Sequence, residues 1–60
     1  MAIETRVAQK DKLFDLLLIK AALEEEGQAL PRILTLIIRQ TIASMEAEDV
    51  AYVQQQIDAY

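Results

Sequence analysis

One apolar segment limits what this chain can fold into. Residues 13–23, LFDLLLIKAAL, are apolar at nine of their eleven positions, and only Asp15 and Lys20 interrupt them. A helix that is apolar on every side is normally buried on every side. The chain has 60 residues, and a domain of that size buries only roughly 60% of the surface that its unfolded form exposes. We therefore expect that another protein chain covers part of this segment.

The composition removes most other means of stabilising so small a domain. Small domains usually gain stability from disulfides, a bound metal or partner subunits. The sequence contains no cysteine and no histidine, which excludes disulfides and removes the commonest neutral metal ligand. Partner subunits are the means that is left, and we expect neither a cofactor nor a metal site.

The charge pattern disfavours two classes of partner. Ten acidic and six basic residues give a formal net charge of −4. No Lys or Arg occurs from residue 40 onward, where four acidic residues lie. Nucleic acids and anionic membranes bind surfaces on which basic residues cluster, whereas acidic residues predominate in this chain. The apolar run is also shorter than the ~20 residues that span a bilayer, so we expect a cytoplasmic protein.

The helix-breaking residues divide the chain into helical segments. The first helix is predicted over about residues 2–26 and ends at Gly27, because glycine adopts the left-handed conformation that closes a helix. A turn follows over 27–30. The second helix is predicted over about 31–45, with Pro31 at its first position. So short a turn predicts that the two helices form an antiparallel hairpin.

The C-terminal segment allows two interpretations. Val50, Val53 and Ile57 have helical spacing, and the acidic residues just before them suit the first turn of a new helix over about 47–59. Ser44 is a candidate for its N-cap. No Gly or Pro separates this segment from the second helix, so one bent helix over 31–59 stays open, although we favour a break near 44–47.

The predicted fold is therefore all-α. It is a single helical domain over residues 1–60, consisting of an antiparallel helical hairpin and a short C-terminal helix or helix extension. We expect this unit to assemble into a homo-oligomeric helix bundle, with a dimer as the favoured form.

Each of the two predicted long helices carries a main apolar stripe and a second one. At 3.6 residues per turn, the main stripe of the first helix consists of Ile3, Val7, Phe14, Leu17, Leu18 and Ala21. Its second stripe, about half a turn away, consists of Leu16, Ile19 and Leu23, and Leu13 lies on the flank between the two. The main stripe of the second helix consists of Leu30, Leu34, Ile37, Ile38, Thr41, Ile42 and Met45. Ile33 and Leu36 point elsewhere.

The second stripes are the reason to expect an oligomer. Burying the five side chains that lie off the main stripes is worth on the order of 10 kcal/mol, comparable with the whole stability of a small domain. A hairpin covers only one stripe on each helix, so a second copy would bury the rest. The predicted oligomer interface consists of Leu13, Phe14, Leu16, Leu17, Ile19, Leu23, Ile33, Leu36 and Ile37. The alternative is a three-helix monomer in which the C-terminal segment covers the second stripe.

The polar side chains predict binding rather than catalysis. Without His and Cys, the usual acid–base and nucleophilic pairs are absent. Lys20, within the apolar run, is expected to lay its stem on apolar surface and keep its ammonium in water. Three acidic residues at a helix C-terminus oppose the helix dipole and form either a solvated end or a contact for a basic partner. The candidate partner contacts are Glu24, Glu25, Glu26, Arg32, Arg39 and Tyr52.

Three functions are compatible with these features. The first is a non-catalytic oligomerisation and protein–protein interaction module, an adaptor or regulator that binds a partner near Leu36 and Tyr52 by helix-in-groove docking. The second is a nucleic-acid-binding hairpin dimer that would use Lys10, Lys12, Arg32 and Arg39. The third is an enzyme or cofactor carrier with a site in the oligomer core.

The predicted short, acidic helical hairpin resembles the repressor-of-primer hairpins of plasmids in size and architecture. The resemblance is one of shape. Those hairpins bind RNA through polar and basic residues along the first helix, whereas here Lys10 and Lys12 are followed by leucines and glutamates. No functional residue is carried over.

Overall fold

The computed structural model describes residues 3–60, and that part of the chain forms three α-helices. They are α1 (Ile3–Glu25), α2 (Arg32–Ala43) and α3 (Ala47–Asp58). The all-α prediction is confirmed. The expected start of the first helix, at residue 2, lies outside the described residues.

The end of α1 is closed by Gly27, as predicted. Its φ of 73° lies in the left-handed region. The Gly27 N–H donates to the carbonyl of Glu24 at 3.0 Å, and the Gln28 N–H donates to that of Leu23 at 2.9 Å. These two bonds form the Schellman arrangement, which satisfies carbonyls that the helix leaves without partners. A Cβ at Gly27 would meet nothing within 4 Å, so glycine is required for its backbone conformation rather than for space.

Pro31 directly precedes α2. With φ −60° and ψ 139° it is extended, and its carbonyl accepts the N–H of Thr35 at 3.3 Å. Pro31 is therefore the N-cap residue, one position before its expected place. The missing N–H costs nothing at either position, because a helix leaves its first N–H groups unbonded.

Residues 44–46 separate α2 from α3, so the two-helix interpretation of the C-terminal segment holds. The expected N-cap role of Ser44 is wrong. Ser44 ends α2: its N–H donates to Gln40 and Thr41 carbonyls at 3.2 Å, and its hydroxyl donates to the Thr41 carbonyl at 3.0 Å. The helix α3 begins at Ala47, so Ser44 lies too early in the chain to be its N-cap. Glu46 precedes α3 instead, in an extended conformation.

The core lies where α1 packs against both other helices. Its buried apolar side chains are Leu13, Leu34, Ile38 and Val53. Leu34 and Ile38 belong to the predicted stripe of α2, and Val53 to that of α3. Eight partly buried side chains surround them: Phe14, Leu16, Leu17, Leu23, Leu30, Met45, Val50 and Ile57.

The stripe predicted for α1 needs correction. Leu13, expected on the flank, is 0% exposed, whereas Ile3 and Val7, expected in the core, are 79% and 47% exposed. The reason is that α1 contacts two helices rather than one. Its most buried direction lies between them and includes Leu13. At the N-terminal end of α1, the side that meets the other helices carries Arg6 and Gln9, which bond to α3 and to Ser44.

Candidate interaction surface

An open groove of about 530 Å³ runs between α1 and α2. Leu16 and Ile37 form its apolar part. Its polar wall consists of Gln9, Lys12, Gln40, Thr41 and Ser44. The Gln9 side chain donates weakly, at 3.5 Å, to the carbonyl and hydroxyl of Ser44, while its buried Oε1 has no hydrogen-bond donor. The groove thus combines an apolar part with a polar wall.

Exposed apolar side chains extend this groove along both helices. Ile19 is 50% exposed, Ile33 64% and Leu36 38%. Ile19 lies one turn after Leu16 on α1, and Ile33 lies one turn before Ile37 on α2, so each continues the groove at helical spacing. We call this surface the α1–α2 face and define it by Leu16, Ile19, Leu23, Ile33, Leu36 and Ile37.

The α1–α2 face contains six of the nine residues predicted for an oligomer interface. Leu13, also predicted for that interface, is wholly buried within one chain and exposes no surface to a second copy. Phe14 and Leu17 are partly buried against the core. Phe14 also meets the ring of Tyr60 edge-on, with the centroids 6.2 Å apart and the planes at 71°. These three residues help to join the helices of a single chain, as do Leu16 and Leu23 of the α1–α2 face.

A cluster of charged side chains outside the groove joins α1 to α3. Arg6 binds Asp49 through two hydrogen bonds, Nε to Oδ2 at 2.8 Å and Nη2 to Oδ1 at 2.9 Å. Its Nη2 also donates to Glu48 Oε1 at 2.7 Å. The hydrogen bond from Arg6 lowers the pKa of the Asp49 carboxyl, and the bonds to Asp49 and Glu48 raise the pKa of Arg6. The Asp49 side chain is only 9% exposed, so the pair compensates a largely buried charge.

The sequence pattern does not predict this cluster. Arg6 and Asp49 lie 43 positions apart, and no local pattern connects them. The one available signal was Asp49 in the first turn of α3, which was attributed to the helix dipole alone.

Tyr52 belongs to the contact between α1 and α3. Lys10 Nζ lies 5.2 Å from the centroid of its ring, a cation–π distance, and the side chain stays 53% exposed. Leu36, which was expected beside it, lies on α2 and in the α1–α2 face. The predicted partner site near Leu36 and Tyr52 therefore divides into two separate surfaces.

The remaining candidate contacts are at the surface. Lys20 reaches Glu24 at 3.1 Å along α1, with its side chain 39% exposed, and Gln28 donates to Glu26 at 3.1 Å. Glu25, Arg32 and Arg39 are exposed.

The four basic residues considered for nucleic-acid binding do not share one face. Lys10 lies against Tyr52 of α3, whereas Lys12 lines the groove beside α2. The two lysines therefore project from different sides of α1.

Across residues 3–60, no three acidic side chains come close enough together to hold a metal ion. Nor does any helix in that range combine the length and the apolar character needed to cross a membrane.

Comparison with known proteins adds no relative: no protein-family model, no curated protein and no solved structure matches the chain. Residues 3–60 form a small three-helix domain in which the α1–α2 face is left uncovered. A two-helix hairpin has no counterpart of α3, so the likeness to repressor-of-primer hairpins extends to α1 and α2 alone.

Proposed function

We propose that this protein is a non-catalytic protein–protein interaction module, an adaptor or regulator, that binds a partner helix along the α1–α2 face. The observation that carries the proposal is the continuity of Ile19, Ile33 and Leu36 with the apolar part of the groove. Single exposed apolar residues are ordinary, but a contiguous set on one surface marks an interaction site.

The size of the exposed surface suits helix docking. The exposed parts of these three side chains equal about one and a half whole side chains, which is worth roughly 2–5 kcal/mol on burial. A helix placed in a groove binds through anchors spaced three or four residues apart. Lys12 and Gln40 at the groove provide the polar contacts that orient such a helix.

The charged groups support a role without catalysis. Arg6 and Asp49 have shifted pKa values, and each is explained by the ion pair that joins α1 to α3. Strongly shifted groups mark active sites when they lie in a cleft, and this pair lies outside the groove between α1 and α2.

Site-specific photo-crosslinking tests the proposal. A photoreactive residue at position 33, on the α1–α2 face, should give defined adducts in cells that produce the protein. The matched control is position 55, where Gln55 is exposed on α3. Absence of adducts from position 33, or equal yields from both positions, would refute the proposal. The mass of an adduct shows whether the partner is a second copy or another protein.

A further inference from the structure

We infer that the α1–α2 face binds a second copy of this chain, in a two-fold dimer in which α1 packs antiparallel to α1 of the partner. This inference rests on the proposed function and names its partner. Three features of the chain carry it: its shape, its exposed area, and the order of residues along one side of α1.

The shape leaves one broad side uncovered. The molecule measures 37 × 25 × 16 Å, so its shortest dimension is less than half of its longest. Its radius of gyration is 11.8 Å, whereas a compact chain of this length has roughly 10.4 Å. Because α3 occupies another side of α1, no helix of the described chain covers the α1–α2 face.

The exposed area points to burial by another subunit. The chain exposes 4479 Å², whereas a monomer of its mass exposes roughly 4,000 Å². The difference of about 500 Å² is of the same order as the ~800 Å² that each partner buries in a standard interface. A second copy placed on this face would restore the area expected for a compact protein of this mass.

The exposed edge of α1 that borders the α1–α2 face is complementary to itself. Of its four residues, Ile19 belongs to the face and Lys12 lines the groove. Ala8, Lys12, Asp15 and Ile19 follow one another at spacings of four, three and four, which is the spacing of a helix–helix seam. A two-fold axis between positions 13 and 14 would place Lys12 opposite Asp15 of the partner subunit. The same axis would place the small Ala8 opposite Ile19 of the partner subunit. Because the arrangement is symmetric, each pair occurs twice.

The charge of this seam favours a second copy over a basic partner. The whole chain has a net charge of −4, and its acidic residues are concentrated at the end of α1 and in α3. Lys12 and Asp15, in contrast, balance each other. The ion pairs described within one chain involve Arg6 and Lys20, so Lys12 and Asp15 are left for contacts between subunits.

A charge-reversal cycle tests the inference on the purified 60-residue chain. Molar mass is measured by light scattering and sedimentation equilibrium over a range of concentrations, for wild type, Lys12→Asp, Asp15→Lys and the double variant. Each single variant places like charges opposite each other twice and should raise the dissociation constant at least about tenfold. The double variant exchanges the two charges and should return to within about threefold of wild type.

Glu25→Lys is the matched control, because it reverses an exposed charge on α1 outside the seam; it should leave the dissociation constant unchanged. Circular dichroism confirms that every variant is folded. A wild-type monomer at all concentrations would overturn the inference, and so would a double variant as weak as the single ones. A monomer that crosslinks to another protein through position 33 would overturn the inference alone and leave the proposed function standing.

Discussion

Shortening Leu13 to alanine removes the side chain on which all three helices converge. Leu13 is 0% exposed, and its buried neighbours come from α2 (Leu34 and Ile38) and from α3 (Val53). Leu→Ala at a fully buried site costs about 2–5 kcal/mol, from lost burial and from the cavity that is left. The core here is small and open to partial collapse, so we expect a value of about 2–3 kcal/mol.

That loss is large for this chain. At ~0.05–0.15 kcal/mol per residue, a domain of 60 residues has a free energy of unfolding of about 3–9 kcal/mol. We therefore expect Leu13→Ala to remove at least about a fifth of the stability and to lower Tm by roughly 10–20 °C. Urea unfolding followed by circular dichroism measures the loss, at a protein concentration low enough that association does not contribute.

Ile33→Ala is the control for Leu13→Ala. It also shortens an aliphatic side chain, but Ile33 is 64% exposed, and such surface changes usually stay within about 0.5 kcal/mol. A Leu13→Ala variant that loses less than about 1 kcal/mol, or no more than Ile33→Ala, would contradict the assignment of Leu13 to the meeting point of the helices.

Two further predictions concern the contact between α1 and α3 and the end of α1. Because the hydrogen bond from Arg6 lowers the pKa of Asp49 below its ordinary 3.8, the pair stabilises the fold above that value, and its contribution is lost as pH falls through the folded-state pKa. Asp49→Asn should thus lower Tm at pH 7, and the difference from wild type should shrink below about pH 4; a difference that does not depend on pH would contradict the ion pair. Gly27→Ala should cost about 1–2 kcal/mol from its left-handed backbone alone, and Gly27→Asn should cost less because asparagine tolerates that conformation. Equal urea midpoints for wild type and both variants would show that φ at position 27 is not constrained.

Local features were predictable wherever the physical cause lies within one turn of the chain. Gly27 ends α1 because only its own backbone conformation matters there. The apolar stripes of α2 and α3 were found because each of these helices is buried mainly along one direction. The role of Ser44 was not predictable in this way. A serine hydroxyl can accept an N–H of the following helix or donate to a carbonyl of the preceding one, and the sequence does not determine which of these groups is closer.

Features that depend on the arrangement of helices were not predictable in the same way. The apolar pattern predicts the buried direction of α1 for one neighbouring helix, whereas two neighbours move the most buried position to Leu13. Arg6 and Asp49 were not paired because ion pairs between distant segments leave no periodic signal. Tyr52 and Leu36 were placed together on exposure alone, and the helices separate them.

The sequence by itself determined the helical class, the closure of α1 and the absence of thiol and imidazole chemistry, since all of these follow from residue types and neighbouring positions. It also showed that the chain has more apolar surface than one hairpin covers. Only the tertiary structure decided which part of that surface α3 buries and which part, from Ile19 to Leu36, stays exposed. That choice depends on the sum of contacts such as Arg6–Asp49 and Leu13–Val53, which join residues far apart in the chain.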